Sequence, residues 1–208
     1  MASILHYVHD PMCSWCWGFK PTIDSLITQL PSSVSVNRVL GGLAPDSDNP
    51  MPEAMQHMLQ QTWQQIRTAI PGTEFNFDFW TQNQPVRSTY PACRAVLAAK
   101  RQNIGLEVPM IEAIQRAYYL DAKNPSDTNV LISLAGPSGC DTVQFSNDLN
   151  SDANQQSLNE DINFARQMGV RGFPSVILQL SDTQAASIDV NYTDASAMLE
   201  QIKQLHVA

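Results

Sequence analysis

The chain has 208 residues, of which 43% are hydrophobic and 15% are charged. A chain of this length and composition can bury a full core without disulfide cross-links, as one elaborated domain or two small ones. The formal net charge of −8 at pH 7 argues against a nucleic acid or an anionic membrane surface as the partner. Four cysteines are too few for a secreted disulfide scaffold, and no apolar run approaches the ~18 residues of a membrane span.

The beginning of the chain is predicted to be a strand. Residues 1–10 contain no Lys or Arg, and their apolar stretch is short. A secretory signal peptide has a basic start and a longer apolar run, so we assign residues 4–9 to the first strand of the fold. We therefore expect a cytoplasmic protein.

A Cys-x-x-Cys motif, Cys13 to Cys16, follows this strand and opens a predicted helix. Apolar residues recur at helical spacing up to Leu30, and a second strand is predicted at 34–40. Cys-x-x-Cys beside a strand-helix-strand pattern is typical of a thioredoxin-like redox site. Half of a zinc site is the alternative, but no second Cys-x-x-Cys or His-x-x-x-His follows, so we expect no metal.

The position of the motif at a helix start has a chemical consequence. The first turn of a helix has unpaired N–H groups and a partial positive charge, which favour a sulfur there as the thiolate. Because the thiolate attacks and the thiol does not, we expect Cys13 to be the nucleophile. Cys16 lies one turn deeper on the same helix face, close enough to close a disulfide with Cys13.

The middle of the chain is predicted to be helical and its end to return to strands. A Pro- and Asp-rich linker at 44–52 precedes a series of helices that ends near Gly169. Strands are predicted at 175–180 and 187–191, with a turn at 181–184 between them, and a final helix at 194–205. The order is β-α-β, a helical block, then α-β-β-α.

Three segments resemble motifs of the DsbA-like branch of the thioredoxin superfamily. They are residues 10–16 (DPMCSWC), 87–95 (RSTYPACRA) and 169–175 (GVRGFPS). The resemblance covers nearly the whole chain and implies an α/β protein, a thioredoxin fold with an inserted all-helical domain. The implied domains are 1–44 with 152–208 for the thioredoxin fold and 45–151 for the insertion.

The resemblance also implies the chemistry of the site. It implies a cytoplasmic thiol-disulfide oxidoreductase/isomerase that exchanges disulfides through Cys13 and Cys16. A cis-proline, Pro174, would face the cysteines and form the substrate platform together with Phe173. The partners would be protein or small-molecule thiols and disulfides, with no cofactor other than glutathione as a redox partner.

Two other functions stay open. The chain is also similar to the group of 2-hydroxychromene-2-carboxylate isomerases and kappa-class glutathione transferases, which generally have serine where Cys13 stands. A glutathione-dependent isomerase or transferase is therefore one alternative. The other is a binding or chaperone module whose disulfide changes its shape without turnover.

Residues around the motif have alternative interpretations. Trp15, between the cysteines, is predicted to form an apolar rim for substrate. His9 either stabilises the thiolate or is an ordinary strand histidine. Asp10 either caps the helix, which we favour, or is a nearby carboxylate that moves protons from Cys16.

The other two cysteines and a row of methionines are predicted to be structural. Cys93 and Cys140 have no partner at close spacing and are expected to be buried free thiols, a second redox pair being the alternative. Met51, Met55 and Met58 recur at helical spacing, which favours the core over a substrate cleft.

Overall fold

The computed structural model describes residues 3–207. Residues 1, 2 and 208, the outermost positions of the predicted thioredoxin-fold segments, lie outside the described residues. The elements in chain order are β1 (Ser3–His9), α1 (Ser14–Gln29), β2 (Val34–Leu40), α2 (Glu53–Ala69), α3 (Phe79–Gln82), α4 (Tyr90–Gln102), a 3₁₀ turn (Ile104–Leu106), α5 (Glu107–Tyr119), α6 (Thr128–Ala135), α7 (Thr142–Leu149), α8 (Asp152–Gln167), β3 (Ser175–Gln179), β4 (Ala185–Ile188) and α9 (Ala195–Val207).

The strands form one mixed sheet in the order β2-β1-β3-β4. β1 is parallel to β2, as the intervening helix α1 requires, and antiparallel to β3. β3 and β4 form an antiparallel hairpin. The central strand β1 is almost wholly buried, and its last residue, His9, leads directly into the loop that carries Cys13.

The two faces of the sheet are covered by different helices. Leu5 and Leu178, paired across β1 and β3, belong to a core cluster that also contains apolar residues of α1 and α9. On the opposite face, Val8 and Val39 pack against Ala165 of α8. Successive strand residues point to opposite faces, so the sheet is the middle layer of three.

Helices α2 to α7 pack around a second core centred on aromatic side chains. Trp63 is fully buried there, and its ring contacts those of Phe75, Phe77, Phe79, Trp80, Tyr118 and Tyr119. The same cluster includes Met12, directly before Cys13. This core therefore extends to the loop of the Cys-x-x-Cys motif.

Two details differ from the sequence-based expectations. β4 begins at Ala185 and not at 187, because a tight turn in which Leu180 N–H donates to Gln184 O (2.9 Å) brings the chain back early. Met58 is 51% exposed, so the methionine row is core only in part.

Within residues 3–207, none of the helices has the length and apolar character needed to cross a bilayer.

Candidate active site

Cys13 is the N-cap residue of helix α1. Its backbone is extended (φ −79°, ψ 113°), and its Sγ accepts a hydrogen bond from the N–H of Cys16 at 3.3 Å. Sulfur thus occupies the position at which Ser, Thr or Asp oxygens usually satisfy the free N–H groups of a helix. Because an N–H dipole and the helix start both favour negative charge, the local structure suits a reactive sulfur.

Only one of the two sulfurs of the motif reaches the surface. Cys13 is 5% exposed and Cys16 is fully buried, and both are free thiols. Burial, and after it the neighbouring Cys13, raises the pKa of the Cys16 thiol well above its usual value. Cys13 is therefore the sulfur that a substrate can meet first.

The loop before β3 lies against the cysteine pair. The Phe173–Pro174 peptide bond is cis, and Cys13 Sγ lies 3.6 Å from the carbonyl oxygen of Phe173. The Phe173 ring packs on Gly41, where a Cβ atom would come within 2.0 Å of a ring carbon. The missing side chain of Gly41 thus leaves room for the Phe173 ring, while the backbone of Phe173 approaches Cys13.

Trp15 contacts a residue that the sequence did not indicate. Its half-buried ring contacts that of Tyr192 with centroids 5.1 Å apart. Burial, and after it the nearby Cys13 and Cys16, raises the pKa of Tyr192 to about 12. Tyr192 comes from the segment between β4 and α9, about 180 residues from the motif, and no local pattern marks it.

Asp10 does not cap helix α1, and the expectation that it would was wrong. Its carboxylate is fully buried and accepts hydrogen bonds from Met12 N–H (2.8 Å), Leu43 N–H (2.8 Å) and the Thr89 hydroxyl (2.7 Å). Burial raises the pKa of Asp10, and these donors oppose that shift. Cys13 takes the cap position in its place, so Asp10 joins the motif loop to the segment after β2 and to α4.

His9 is a buried, neutral histidine. It is 1% exposed, stacks on Tyr7 with ring centroids 4.7 Å apart, and has no hydrogen-bond partner on either ring nitrogen. Burial, followed by the charges of Arg38 and Lys100, lowers its pKa to about 3. A neutral imidazole supplies no positive charge to a thiolate, so the geometry does not favour His9 as the stabilising group.

Ser14 receives a hydrogen bond from the helical core. The indole Nε1 of Trp63 donates to Ser14 Oγ at 2.9 Å. The apolar spacing of α2 predicts that Trp63 is inside the protein, but it carries no signal that the indole N–H reaches the dipeptide between the cysteines. Ser14 and Trp63 are thus site residues that sequence reasoning missed.

Cys93 and Cys140 are both buried free thiols. Cys93 Sγ lies 3.5 Å from the Asp10 carboxylate, whose charge adds to burial in raising the pKa of the thiol well above its usual value. Cys140 lies two residues before α7 and has 8% of its surface exposed. Within residues 3–207, no three His, Cys, Asp or Glu side chains converge as metal ligands.

The fold and the dithiol together define a DsbA-like thioredoxin fold, in which a helical segment is inserted between β2 and β3. Residues 6–201 match the family model described as Thioredoxin, and the chain belongs to that family.

Two solved structures illustrate the likeness. One is a protein from Nitrosomonas europaea that is provisionally described as a protein disulfide isomerase. It has a TM-score of 0.86 and 27% identity, with 99% of this chain and 100% of that chain covered. The other is the cytosolic disulfide reductase DsbM from Pseudomonas aeruginosa, with a TM-score of 0.79, 23% identity and coverage of 99% and 100%. DsbM has also been solved with GSH.

Curated relatives include adapter proteins. The ClpXP adapter protein SpxH of Bacillus subtilis is 27% identical over 168 residues, which cover 80% of this chain and 55% of SpxH. SpxH of Halalkalibacterium halodurans is 24% identical over 172 residues, covering 81% and 56%. The chain therefore spans little more than half the length of these relatives.

Proposed function

We propose that the protein is a thiol-disulfide oxidoreductase that works through Cys13 and Cys16. The Cys13 thiolate attacks one sulfur of a substrate disulfide, forms a mixed disulfide and expels the other sulfur as a thiolate. Cys16 then gives up its proton and attacks the Cys13 sulfur, which closes the Cys13–Cys16 disulfide and releases the second substrate thiolate. The substrate gains two electrons and the protein loses two. The reverse sequence oxidises a dithiol, and both together allow isomerisation.

One observation carries this proposal. Cys13 Sγ caps helix α1 through the Cys16 N–H and lies 3.6 Å from the Phe173 carbonyl oxygen. These contacts support a site in which the sulfur nearer the surface, the second sulfur and a backbone able to align a substrate strand lie together. The likeness to solved disulfide reductases supports the fold in which such a site works.

Other residues take supporting roles in this proposal. Phe173 and Pro174 form the platform for the substrate backbone, and Trp15 forms the apolar rim. Asp10, a fully buried carboxylate in the loop directly before the motif, is the candidate proton acceptor for Cys16. The reaction needs no metal or nucleotide. Glutathione is a suitable redox partner and the cytoplasm the proposed compartment, in keeping with the GSH complex and the cytosolic location of DsbM.

The test is to trap the mixed disulfide. In Cys16→Ser the second step is blocked, so substrate-linked complexes should accumulate on non-reducing gels, whereas Cys13→Ser should form none. Reduction of insulin by the wild type, assayed beside glutathione conjugation, separates this activity from that of a glutathione-dependent isomerase or transferase. The proposal fails if Cys13→Ser retains insulin reduction, or if Cys16→Ser captures nothing.

A second candidate function, a redox-responsive binding module, is favoured by the similarity to SpxH, a ClpXP adapter. An adapter needs a binding surface and not turnover. A variant with both Cys13→Ser and Cys16→Ser therefore discriminates between the two. Full function of this variant in cells supports the binding module, and its loss supports the oxidoreductase.

A further inference from the structure

A cavity of about 480 Å³ lies along helix α1, beginning at the residue after Cys16, and plays no part in the exchange chemistry described above. Its walls come from one side of helix α1, from the segment 70–74 after α2 and from the segment 192–193 before α9. They include Trp17, Pro21, Ile70, Glu74, Leu120 and Tyr192. Gly72, at its edge, has φ +90° and open space around the position of a Cβ atom, so the entrance is not obstructed there.

Two residues of the cavity wall, Trp17 and Tyr192, are direct neighbours of candidate active-site residues. Trp17 directly follows Cys16, and the Tyr192 ring contacts Trp15 at a centroid distance of 5.1 Å. The α1 residues of the wall, from Gly18 to Thr22, lie about 8–14 Å from Cys13 along the helix axis at ~1.5 Å per residue. An extended peptide advances ~3.3 Å per residue, so a chain held at Cys13 reaches the cavity with a side chain two to four residues away.

The walls combine an apolar interior with negative charge. Lys20, a basic residue of the wall, is paired with two carboxylates that are not part of the wall, Asp24 at 2.5 Å and Glu112 at 2.8 Å, and these offset its positive charge. Glu74 is exposed, and among the described residues its carboxylate makes no ion pair. A positively charged ligand therefore meets the unpaired Glu74 carboxylate at the cavity wall, while the charge of Lys20 is offset by its partners.

The aromatic walls favour the same kind of ligand. The faces of Trp17 and Tyr192 can attract a cation, and the Trp17 indole is fixed by its hydrogen bond to the Glu74 carbonyl oxygen at 3.0 Å. A long side chain with an apolar stem and a charged head can bury the stem and keep the head at the rim. Lysine and arginine have this form.

We propose that the cavity binds a Lys or Arg side chain that stands two to four residues from the reactive cysteine of a polypeptide substrate. The stem lies along Pro21 and Ile70, and the cationic head lies at the rim near Glu74 and Tyr192. The inference rests on the proposed exchange function and adds a substrate class to it. The preferred substrates are disulfides within basic segments, which the net charge of −8 also attracts over longer distances.

The experiment uses matched peptides whose single cysteine is joined to 5-thio-2-nitrobenzoate as a mixed disulfide. The peptides differ only three residues from the cysteine, where they carry Lys, norleucine or Glu. Attack by Cys13 forms a Cys13–peptide disulfide and releases the coloured thiolate. In a Cys16→Ser background the reaction stops there. At low salt we expect the Lys peptide to react about three- to fivefold faster than the norleucine peptide, which is the size of effect that one exposed charge pair can give. The Glu peptide should react more slowly than the norleucine peptide.

Substitutions in the cavity wall test whether the preference for the Lys peptide arises there. Glu74→Gln and Tyr192→Leu should each bring the Lys-to-norleucine ratio close to one, with the fold checked by circular dichroism. Glu53→Gln, which removes an exposed carboxylate at the start of α2, is the matched control and should keep the ratio. Equal rates for the three peptides, or a Lys preference that survives both cavity variants, would overturn the inference.

A small symmetrical disulfide, 5,5′-dithiobis(2-nitrobenzoate), tests the exchange function separately from the cavity assignment. If Cys13 reacts with it but the peptides show no Lys preference, only the cavity assignment is wrong. If neither the small disulfide nor any peptide reacts, the proposed exchange function is wrong and the inference is overturned with it.

Discussion

The indole N–H of Trp63 donates a hydrogen bond to Ser14 Oγ at 2.9 Å. Trp63 belongs to α2 and is fully buried, whereas Ser14 opens α1 directly after Cys13. Aromatic rings on every side hold the indole in place. The inserted helices therefore contact the cysteine motif through a donor whose orientation is fixed by packing.

We expect Trp63→Phe to make the Cys13–Cys16 pair more reducing. The N–H dipole points toward the helix start, where it helps to stabilise negative charge on the reduced pair, and phenylalanine removes it. A hydrogen bond is worth about 1 kcal/mol, so the equilibrium constant with glutathione should change about threefold to fivefold in favour of the protein disulfide. Equilibration in defined glutathione mixtures measures this.

Two further variants give this measurement its controls. Trp80 belongs to the same aromatic cluster, but its indole nitrogen has no hydrogen-bond partner, so Trp80→Phe should leave the equilibrium constant unchanged. If Trp63 acts through Ser14, Trp63→Phe should have little further effect in a Ser14→Ala background. Equal shifts in both backgrounds would show that Trp63 acts by packing alone.

Thr89 is expected to stabilise the fold through Asp10. Its hydroxyl donates to the buried Asp10 carboxylate at 2.7 Å and accepts from Ala44 N–H at 3.0 Å. Thr89→Val keeps the shape but leaves both buried partners short of a hydrogen bond, which costs about 2–3 kcal/mol in the free energy of unfolding. Urea denaturation measures it. As the control, Thr68→Val at an exposed position of α2 should change the free energy of unfolding by less than about 0.5 kcal/mol. A similar loss in Thr89→Val and Thr68→Val would contradict this account.

The sequence was sufficient for the order of elements and for the position of the cysteines. The spacing of apolar residues and a Cys-x-x-Cys after a strand are local signals; the strand-helix-strand order and the thioredoxin-like fold that they predict are confirmed. Asp10 shows where local reasoning fails, because an acidic residue before a helix usually caps it. Here its partners Leu43 and Thr89 are brought to it by the chain after β2.

Residues that meet only through the tertiary structure could not be identified from local patterns. Tyr192 reaches Trp15 from the far end of the chain, and Trp63 reaches Ser14 from a helix whose own pattern indicates only burial. Gly41 matters because the Phe173 ring occupies the space of its missing side chain. The domain boundaries 1–44, 45–151 and 152–208 stay a prediction.

Changing Cys93 and Cys140 together to serine should leave disulfide exchange within about twofold of the wild-type rate. Both thiols are buried, and neither forms a disulfide. Cys93 contacts Asp10 at 3.5 Å, and a serine hydroxyl can donate to the same carboxylate. Insulin reduction measures the rate. A tenfold loss with an unchanged circular dichroism spectrum would mean that one of these thiols takes part in exchange.

The last prediction concerns acid stability and His9. Burial lowers the pKa of His9 to about 3, whereas an unfolded histidine titrates near ~6.5. Between these values the unfolded chain binds a proton that the folded protein does not, so the free energy of unfolding falls as the pH falls through this range. At 1.36 kcal/mol per pH unit, His9 removes roughly 2–3 kcal/mol between pH 6.5 and 4.5.

His9→Phe should therefore flatten the acid side of the stability curve. Phenylalanine can keep the stack on Tyr7 and takes up no proton, so the difference from wild type should grow as the pH falls. Asp10 and Asp161 act in the opposite direction, because burial raises their pKa values and the folded protein binds their protons first. The wild type and His9→Phe both keep these two aspartates, so their contributions cancel when the two proteins are compared. Urea denaturation at pH 7, 5.5 and 4.5 measures the effect, with His57→Gln at an exposed position as the control. Parallel curves for wild type and His9→Phe would show that His9 takes up its proton without unfolding.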